Sequence, residues 1–126
     1  MRIMEINLGG KDVELSLSFG AASEIAQKVA DPLLISRESE LEYRYTKAGI
    51  VGYDPKFKFT LQTVCAILHI GAKHVNKDVT LEAVQEMVFD DGMMNAQGKA
   101  TDYLVEMLGA RPEEADSVAK GEKPGK

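Results

Sequence analysis

The chain has 126 residues, 44% of them hydrophobic and 28% charged, with a formal net charge of -5 at pH 7, which fits one acidic globular domain. The acidic balance disfavours a nucleic-acid partner, because neutralising phosphates requires an excess of Lys and Arg. A single cysteine excludes an internal disulfide, and no apolar run suits a signal peptide or a membrane-spanning helix, so we expect a cytoplasmic protein without a membrane partner.

An N-terminal β-hairpin is the first predicted element. Apolar and polar residues alternate on both sides of a Gly-Gly pair, with the two-residue period of half-buried strands. The apolar positions are Met4, Ile6 and Leu8 before the pair, and Val13, Leu15, Leu17 and Phe19 after it. Two strands alone are marginally stable, so their apolar face is expected to pack on helices.

The register of this hairpin depends on the length of its loop. A two-residue loop, Gly9-Gly10, would place Glu5 opposite Glu14, and like charges that face each other across two strands are destabilising. A four-residue loop over residues 9–12 avoids this pair. We therefore predict the longer loop, which pairs Leu8 with Val13, Ile6 with Leu15 and Met4 with Leu17.

The segment GAASEIAQKVA predicts a short helix. Asp31-Pro32 ends it, because a residue before proline avoids the helical region. The predicted apolar face consists of Ala22, Ile25, Ala26 and Val29.

Residues 36–48 are ambiguous between helix and strand. Ser36 can cap a helix that stops at Gly49, whereas the alternation of Leu41, Tyr43 and Tyr45 is also typical of a strand. The helix is the preferred interpretation. Residues 52–59 are expected to form an extended connector whose two phenylalanines, Phe57 and Phe59, are anchored in the core.

Three helices are predicted after the connector. Thr60 and Thr80 can cap the first two, and Asp90-Asp91-Gly92 closes the second. The third is expected over about residues 93–108, with its stop at Gly109. The apolar stripe of the first is Leu61, Val64, Cys65, Leu68, Ala72 and Val75; that of the third is Met93, Ala96, Ala100, Leu104 and Met107.

The whole pattern predicts an α+β fold, an N-terminal two-stranded β-hairpin packed on a mostly helical domain of four to five helices. Residues 1–109 form this single domain. Residues 110–126 contain almost no large apolar side chain, so burial cannot offset their ordering entropy, and we expect a disordered C-terminal tail.

The cysteine and both histidines fall within ten positions, which raises the question of a reactive site. Cys65 and His69 are four residues apart on one side of a helix, as a nucleophile and its base could be. However, Cys65 lies inside the apolar stripe, where a free cysteine behaves as a small hydrophobe. His74 is five positions from His69 and points elsewhere, so we predict a core helix, with no catalytic residue, metal or cofactor.

Methionines are concentrated at the junction of the last two predicted helices. Methionine side chains are flexible and polarizable, which suits a surface that accepts different partners, although their commoner role is to fill a core. The candidate partner-binding residues are Met87, Phe89, Met93 and Met94.

The chain resembles the tail assembly chaperones of long-tailed bacteriophages and of the related gene-transfer-agent particles. The likeness covers about residues 2–109 and rests on four segments. They are SFGAASEIAQKVADPLL, TLQTVCAILHIGAKH, TLEAVQEMVFDDG and ATDYLVEMLG.

The resemblance implies a non-enzymatic protein of the bacterial cytoplasm that is absent from the finished virion. Its implied partners are the tape-measure protein, which it keeps soluble, the tail-tube protein, which it helps to recruit, and further copies of itself. An alternative is a permanent structural component of the tail or neck of a phage-like particle. A less favoured alternative is an acidic regulatory binding module.

Overall fold

The computed structural model describes residues 2–109, in which an antiparallel two-stranded sheet precedes five helices. The elements are β1 (Ile3–Leu8), β2 (Lys11–Ser16), α1 (Phe19–Lys28), α2 (Pro32–Lys47), α3 (Leu61–Lys73), α4 (Leu81–Asp91) and α5 (Met93–Leu108). The predicted α+β fold, with its N-terminal hairpin and mostly helical remainder, is confirmed. The tail predicted over residues 110–126 lies outside the described residues.

The hairpin has a two-residue loop, so the predicted four-residue loop is wrong. Leu8 pairs with Lys11, and Glu5 does face Glu14. Gly9 and Gly10 both have positive φ angles, 59° and 88°, which suit a tight turn whose twist matches that of the flanking strands. Both glutamates point into solvent, where water screens their repulsion, so turn geometry and not charge sets the register.

The observed register places the buried apolar strand residues on one face, whereas Ile3 at the start of β1 has the opposite parity and is 42% exposed. Ile6, Leu8, Val13 and Leu15 are buried, and this face packs mainly on α3. The predicted alternation fails at its end, because β2 stops at Ser16 and Phe19 begins α1 with 87% of its surface exposed.

The two helices after the hairpin differ in detail from their predictions. In α1, which Ser18 caps, the buried residues are Ala21 and Ile25, whereas Ala26 of the predicted face is exposed, because contacts across the fold decide which face of the helix is turned to the core. Helix α2 begins at Pro32 with Asp31 as its cap, so Ser36 is not a cap but lies inside the helix. Helix is confirmed for residues 36–47.

Helix α3 is the centre of the fold, with the hairpin, α1, α4 and α5 packed around it. It is buried on more sides than a single stripe predicts, since Ile67, Ile70 and Gly71 are buried as well, whereas Leu61 is 48% exposed. The Thr60 cap is confirmed, and Thr63 completes a reciprocal capping box.

The last two helices have the predicted bounds. Thr80 caps α4, and Gly92 and Gly109, both with positive φ, follow α4 and α5. Ala96, Ala100 and Leu104 are buried as predicted, with Met93 and Met107 half-buried beside them. The connector also meets its prediction in part, because Phe57 and Phe59 stack edge to face and pack half-buried against the core.

Candidate functional site

Cys65 and His69 do not form a reactive pair. Cys65 is 2% exposed, and burial raises the pKa of its thiol, so the reactive thiolate is disfavoured. The Nε2–H of His69 donates to the backbone carbonyl of Val79 at 3.1 Å, which ties α3 to the segment that leads into α4. His69 therefore has a structural contact, and nothing orients it toward the thiol.

His74 belongs to a separate cluster around Glu24 of α1. The Nζ of Lys28 and the Nε2 of His74 lie 2.7 and 2.8 Å from the Glu24 carboxylate, and Lys73 forms a second lysine ion pair with it. These hydrogen bonds, led by Lys28 and Lys73, lower the pKa of Glu24 to about 2 despite partial burial. The cluster joins α1 to the C-terminal end of α3.

The hairpin loop is held by a second carboxylate. Asp91 accepts hydrogen bonds from the backbone N–H of Gly9 and from Lys99, and Lys99 also donates to the backbone carbonyl of Asn7. The N–H of Gly9 and then the lysine lower the pKa of Asp91. This network fixes the loop on the junction of α4 and α5.

A third carboxylate fixes the connector. Glu38 of α2 is 4% exposed and accepts hydrogen bonds from the Tyr53 hydroxyl and the Lys56 N–H, both at 2.8 Å. The Lys56 N–H and then the Tyr53 hydroxyl lower the pKa of Glu38. Tyr53 also stacks on Tyr45, so residues 53–56 are fastened to α2 at two points.

The four candidate partner-binding residues divide into two pairs. Met87 and Met93 are half-buried and pack on the core, which is the commoner role of methionine. Phe89 and Met94 are 75% and 80% exposed. Only the second pair is therefore available to a partner in this conformation.

An apolar groove runs between α1, the start of α2 and the end of α5. We call it the Phe19 groove, and its volume is about 530 Å³. Its apolar lining residues are Leu17, Phe19, Ala22, Ala26, Pro32, Leu33, Met107 and Leu108. Phe19 and Leu33 stand at its border with 87% and 65% of their surfaces exposed, so it offers an unfilled apolar surface.

A second groove of about 480 Å³ lies between the first half of α3 and α4. We call it the Phe89 groove. From α3 it is lined by Leu61, Gln62 and Cys65, and from α4 by Glu82, Gln85, Glu86 and Phe89. Its floor is apolar and its α4 wall carries two carboxylates.

The sequence prediction missed both grooves and all three carboxylate clusters. A partial signal existed for Glu24, since Lys28 stands four residues later on the same helix. The other partners of Glu24 are about 50 residues away in the chain, as the His74 contact shows, and no local pattern predicts such a pairing. The sequence predicted a buried Phe19, because this residue continues the apolar alternation of β2.

Neither a metal site nor a membrane-spanning helix is found in the described part of the chain. Residues 2–109 contain no group of three or more His, Cys, Asp or Glu side chains placed to hold a metal ion. Within the same range no helix combines the length and the apolar content needed to cross a membrane.

Comparisons with models of known protein families, with curated proteins and with solved structures gave no match.

Proposed function

We propose that the chain is a non-enzymatic tail assembly chaperone, which binds the tape-measure protein of a phage-like particle, keeps it soluble and helps to recruit tail-tube subunits. The observation that carries the proposal is the Phe19 groove, an open apolar channel bordered by two strongly exposed hydrophobic side chains. The sequence resemblance supplies the identity of the client.

The groove suits a client with an apolar helical stripe. A long helix with such a stripe aggregates unless another surface covers it, and an acidic domain that covers it adds charge to the complex. Burying one side chain such as Phe19 contributes about 1.5–3 kcal/mol. A few such contacts give modest affinity, which permits displacement when tail-tube subunits polymerise.

Modest affinity also favours many copies on one client. Adjacent copies that contact one another gain effective concentration without a larger interface for each copy, so the proposal includes self-association along the client. It assigns no catalytic residue, metal or cofactor to the chain.

The test is co-expression with the tape-measure protein of the same particle. The variant Phe19→Ser/Leu33→Ser removes the exposed apolar border of the groove, and we expect the soluble fraction of the client to fall to the level seen without the chain. Val51→Ser is the matched control, because Val51 is 92% exposed but lies outside the groove.

Two results would contradict the proposal. One is that the client is equally soluble with and without the chain. The other is that both variants, shown by circular dichroism to be folded, protect the client as well as the unaltered chain does.

A further inference from the structure

The Phe89 groove has properties that the chaperone proposal does not use. Its lining is apolar at Cys65, Leu61 and Phe89. Leu61 is 48% exposed and Phe89 is 75% exposed. Its charged residues are Glu82 and Glu86, and no Lys or Arg lines it. Apolar area and uncompensated negative charge therefore lie side by side.

The two glutamates are four residues apart on α4, so they lie about 6 Å from each other along one row of the helix. Like charges at this spacing destabilise a helix. Within residues 2–109 neither of them has an ion-pair partner. Asp90, four residues beyond Glu86, extends the row, and α4 itself contains no basic residue.

This arrangement contrasts with the three carboxylates that join elements of the fold, Glu24, Glu38 and Asp91. Glu24 and Asp91 each contact at least one lysine, and Glu38 is satisfied by hydrogen bonds. The carboxylates beside the Phe89 groove are left without a cation in the part of the chain that the structure describes. A partner that supplied cations would relieve their mutual repulsion and cover the exposed phenylalanine.

We propose that the Phe89 groove binds a cationic amphipathic helix of a partner protein, with its apolar stripe on Leu61 and Phe89 and with Lys or Arg side chains on successive turns against Glu82 and Glu86. The spacing follows from the geometry, because positions four residues apart on the partner repeat at the same ~6 Å as the glutamates. The amide side chains of Gln62 and Gln85 can accept and donate hydrogen bonds at the two walls.

The probe is a synthetic helical peptide of about 15 leucines and lysines, about 22 Å long, which exceeds the ~16 Å of the 11 residues of α4. A peptide with glutamine in place of every lysine is the control probe. Binding is measured by fluorescence anisotropy of the labelled peptide at about 50 mM salt, where surface charges are weakly screened. We expect the lysine peptide to bind and the glutamine peptide to bind at least several-fold more weakly.

Matched variants separate the groove from the general acidity of the chain. Glu82→Gln/Glu86→Gln is expected to weaken binding about fivefold. Glu5→Gln/Glu14→Gln removes the same charge from another exposed pair of glutamates, on the hairpin, and is expected to leave binding unchanged.

A second pair of variants tests the apolar contact. Phe89→Ser is expected to weaken binding about tenfold, the loss of one buried aromatic contact. Phe19→Ser, an equal change in the other groove, is expected to weaken binding of the lysine peptide much less than Phe89→Ser does, because no glutamate lines the Phe19 groove. Each variant is compared with the unaltered chain by circular dichroism, so that loss of folding is not read as loss of binding.

Three results would overturn the inference. Equal weakening by both double glutamate variants would show attraction to net charge alone, and full binding by Phe89→Ser would place the peptide elsewhere. A dimer that excludes the peptide and that Phe89→Ser dissociates would assign the groove to a second copy of the chain. None of these results bears on the Phe19 groove, so the chaperone proposal stands or fails separately.

Discussion

Gly71 provides the sharpest test of the packing at the centre of the fold. It lies inside α3, and a Cβ atom added there would sit 2.7 Å from the hydroxyl oxygen of Tyr103 and 2.8 Å from the ring carbon that bears it. Tyr103 is fully buried, and its hydroxyl donates to the backbone carbonyl of Ser16 at 2.5 Å. The ring is therefore held between α3 and the end of β2.

Gly71→Ala combines three effects on the free energy of unfolding. Alanine inside a helix is favoured over glycine by about 1 kcal/mol. Forcing the buried ring aside costs about 1–3 kcal/mol. Loss of the hydroxyl's hydrogen bond to the Ser16 carbonyl costs about 1–3 kcal/mol more. The sum is a destabilisation of about 1–5 kcal/mol, although alanine is the better helix former.

Gly98→Ala is the matched control, because Gly98 lies inside α5 and a Cβ atom there would meet nothing within 4 Å. We expect it to stabilise the chain by about 0.5–1 kcal/mol. Urea denaturation followed by far-ultraviolet circular dichroism measures both changes. The packing argument is wrong if Gly71→Ala is as stable as the unaltered chain or more stable.

Three further predictions concern the contacts that join the elements. The pKa of Glu24 falls from 4.5 to about 2 on folding, so its ion pairs stabilise the fold above about pH 4.5 and are lost as the pH falls toward 2. Glu24→Gln should therefore reduce the loss of stability at acid pH that denaturation measures. An unchanged dependence of stability on pH would contradict this. Gly9→Ala should destabilise the fold, since φ is 59° and the new Cβ would lie 2.8 Å from a side-chain atom of α4. Gly10→Ala meets no atom within 4 Å and should lower the free energy of unfolding less. Equal losses of stability in urea denaturation would contradict the loop geometry. Tyr53→Phe removes one of the hydrogen bonds to Glu38 and should speed amide hydrogen exchange over residues 52–59 without altering exchange in α3; unchanged exchange would show that the bond does not hold the connector.

Local signals in the sequence predicted the start of α3 and both ends of α4 and α5 well, although Ser36 was wrong as the cap of α2. Thr60 and Thr80 are caps because their hydroxyl oxygens accept backbone N–H groups that a helix start leaves unpaired. Gly92 and Gly109 mark the ends of helices because they adopt positive φ angles that other residues avoid. Such signals involve residues that are neighbours in the chain, so the sequence alone contains the information that locates these helix ends.

Predictions that required a comparison of energies were less successful. The hairpin loop was predicted too long because the repulsion between Glu5 and Glu14 was given more weight than the turn preference of two glycines. Both carboxylates are exposed, and repulsion between exposed charges is worth only tenths of a kcal/mol. Exposure was not visible in the sequence.

The candidate site could be predicted only in part, because grooves form between elements that are distant in the chain. Phe89 and Met94 were named in advance and are exposed, but Met87 and Met93 have the same residue type and pack on the core. Phe19 could not be recognised, since it follows the apolar alternation of a strand that ends three residues earlier. The rotation of each helix on the core, which decides these cases, depends on contacts across the fold.

The most direct test of the proposed function is to count copies of the chain by quantitative mass spectrometry, per copy of tape-measure protein, in assembly intermediates and in finished particles. A chaperone predicts several copies for each tape-measure protein in the intermediates and none in the finished particle. A fixed number of copies retained in the finished particle would identify a structural component instead. Absence from both would refute the proposed partnership with the tape-measure protein.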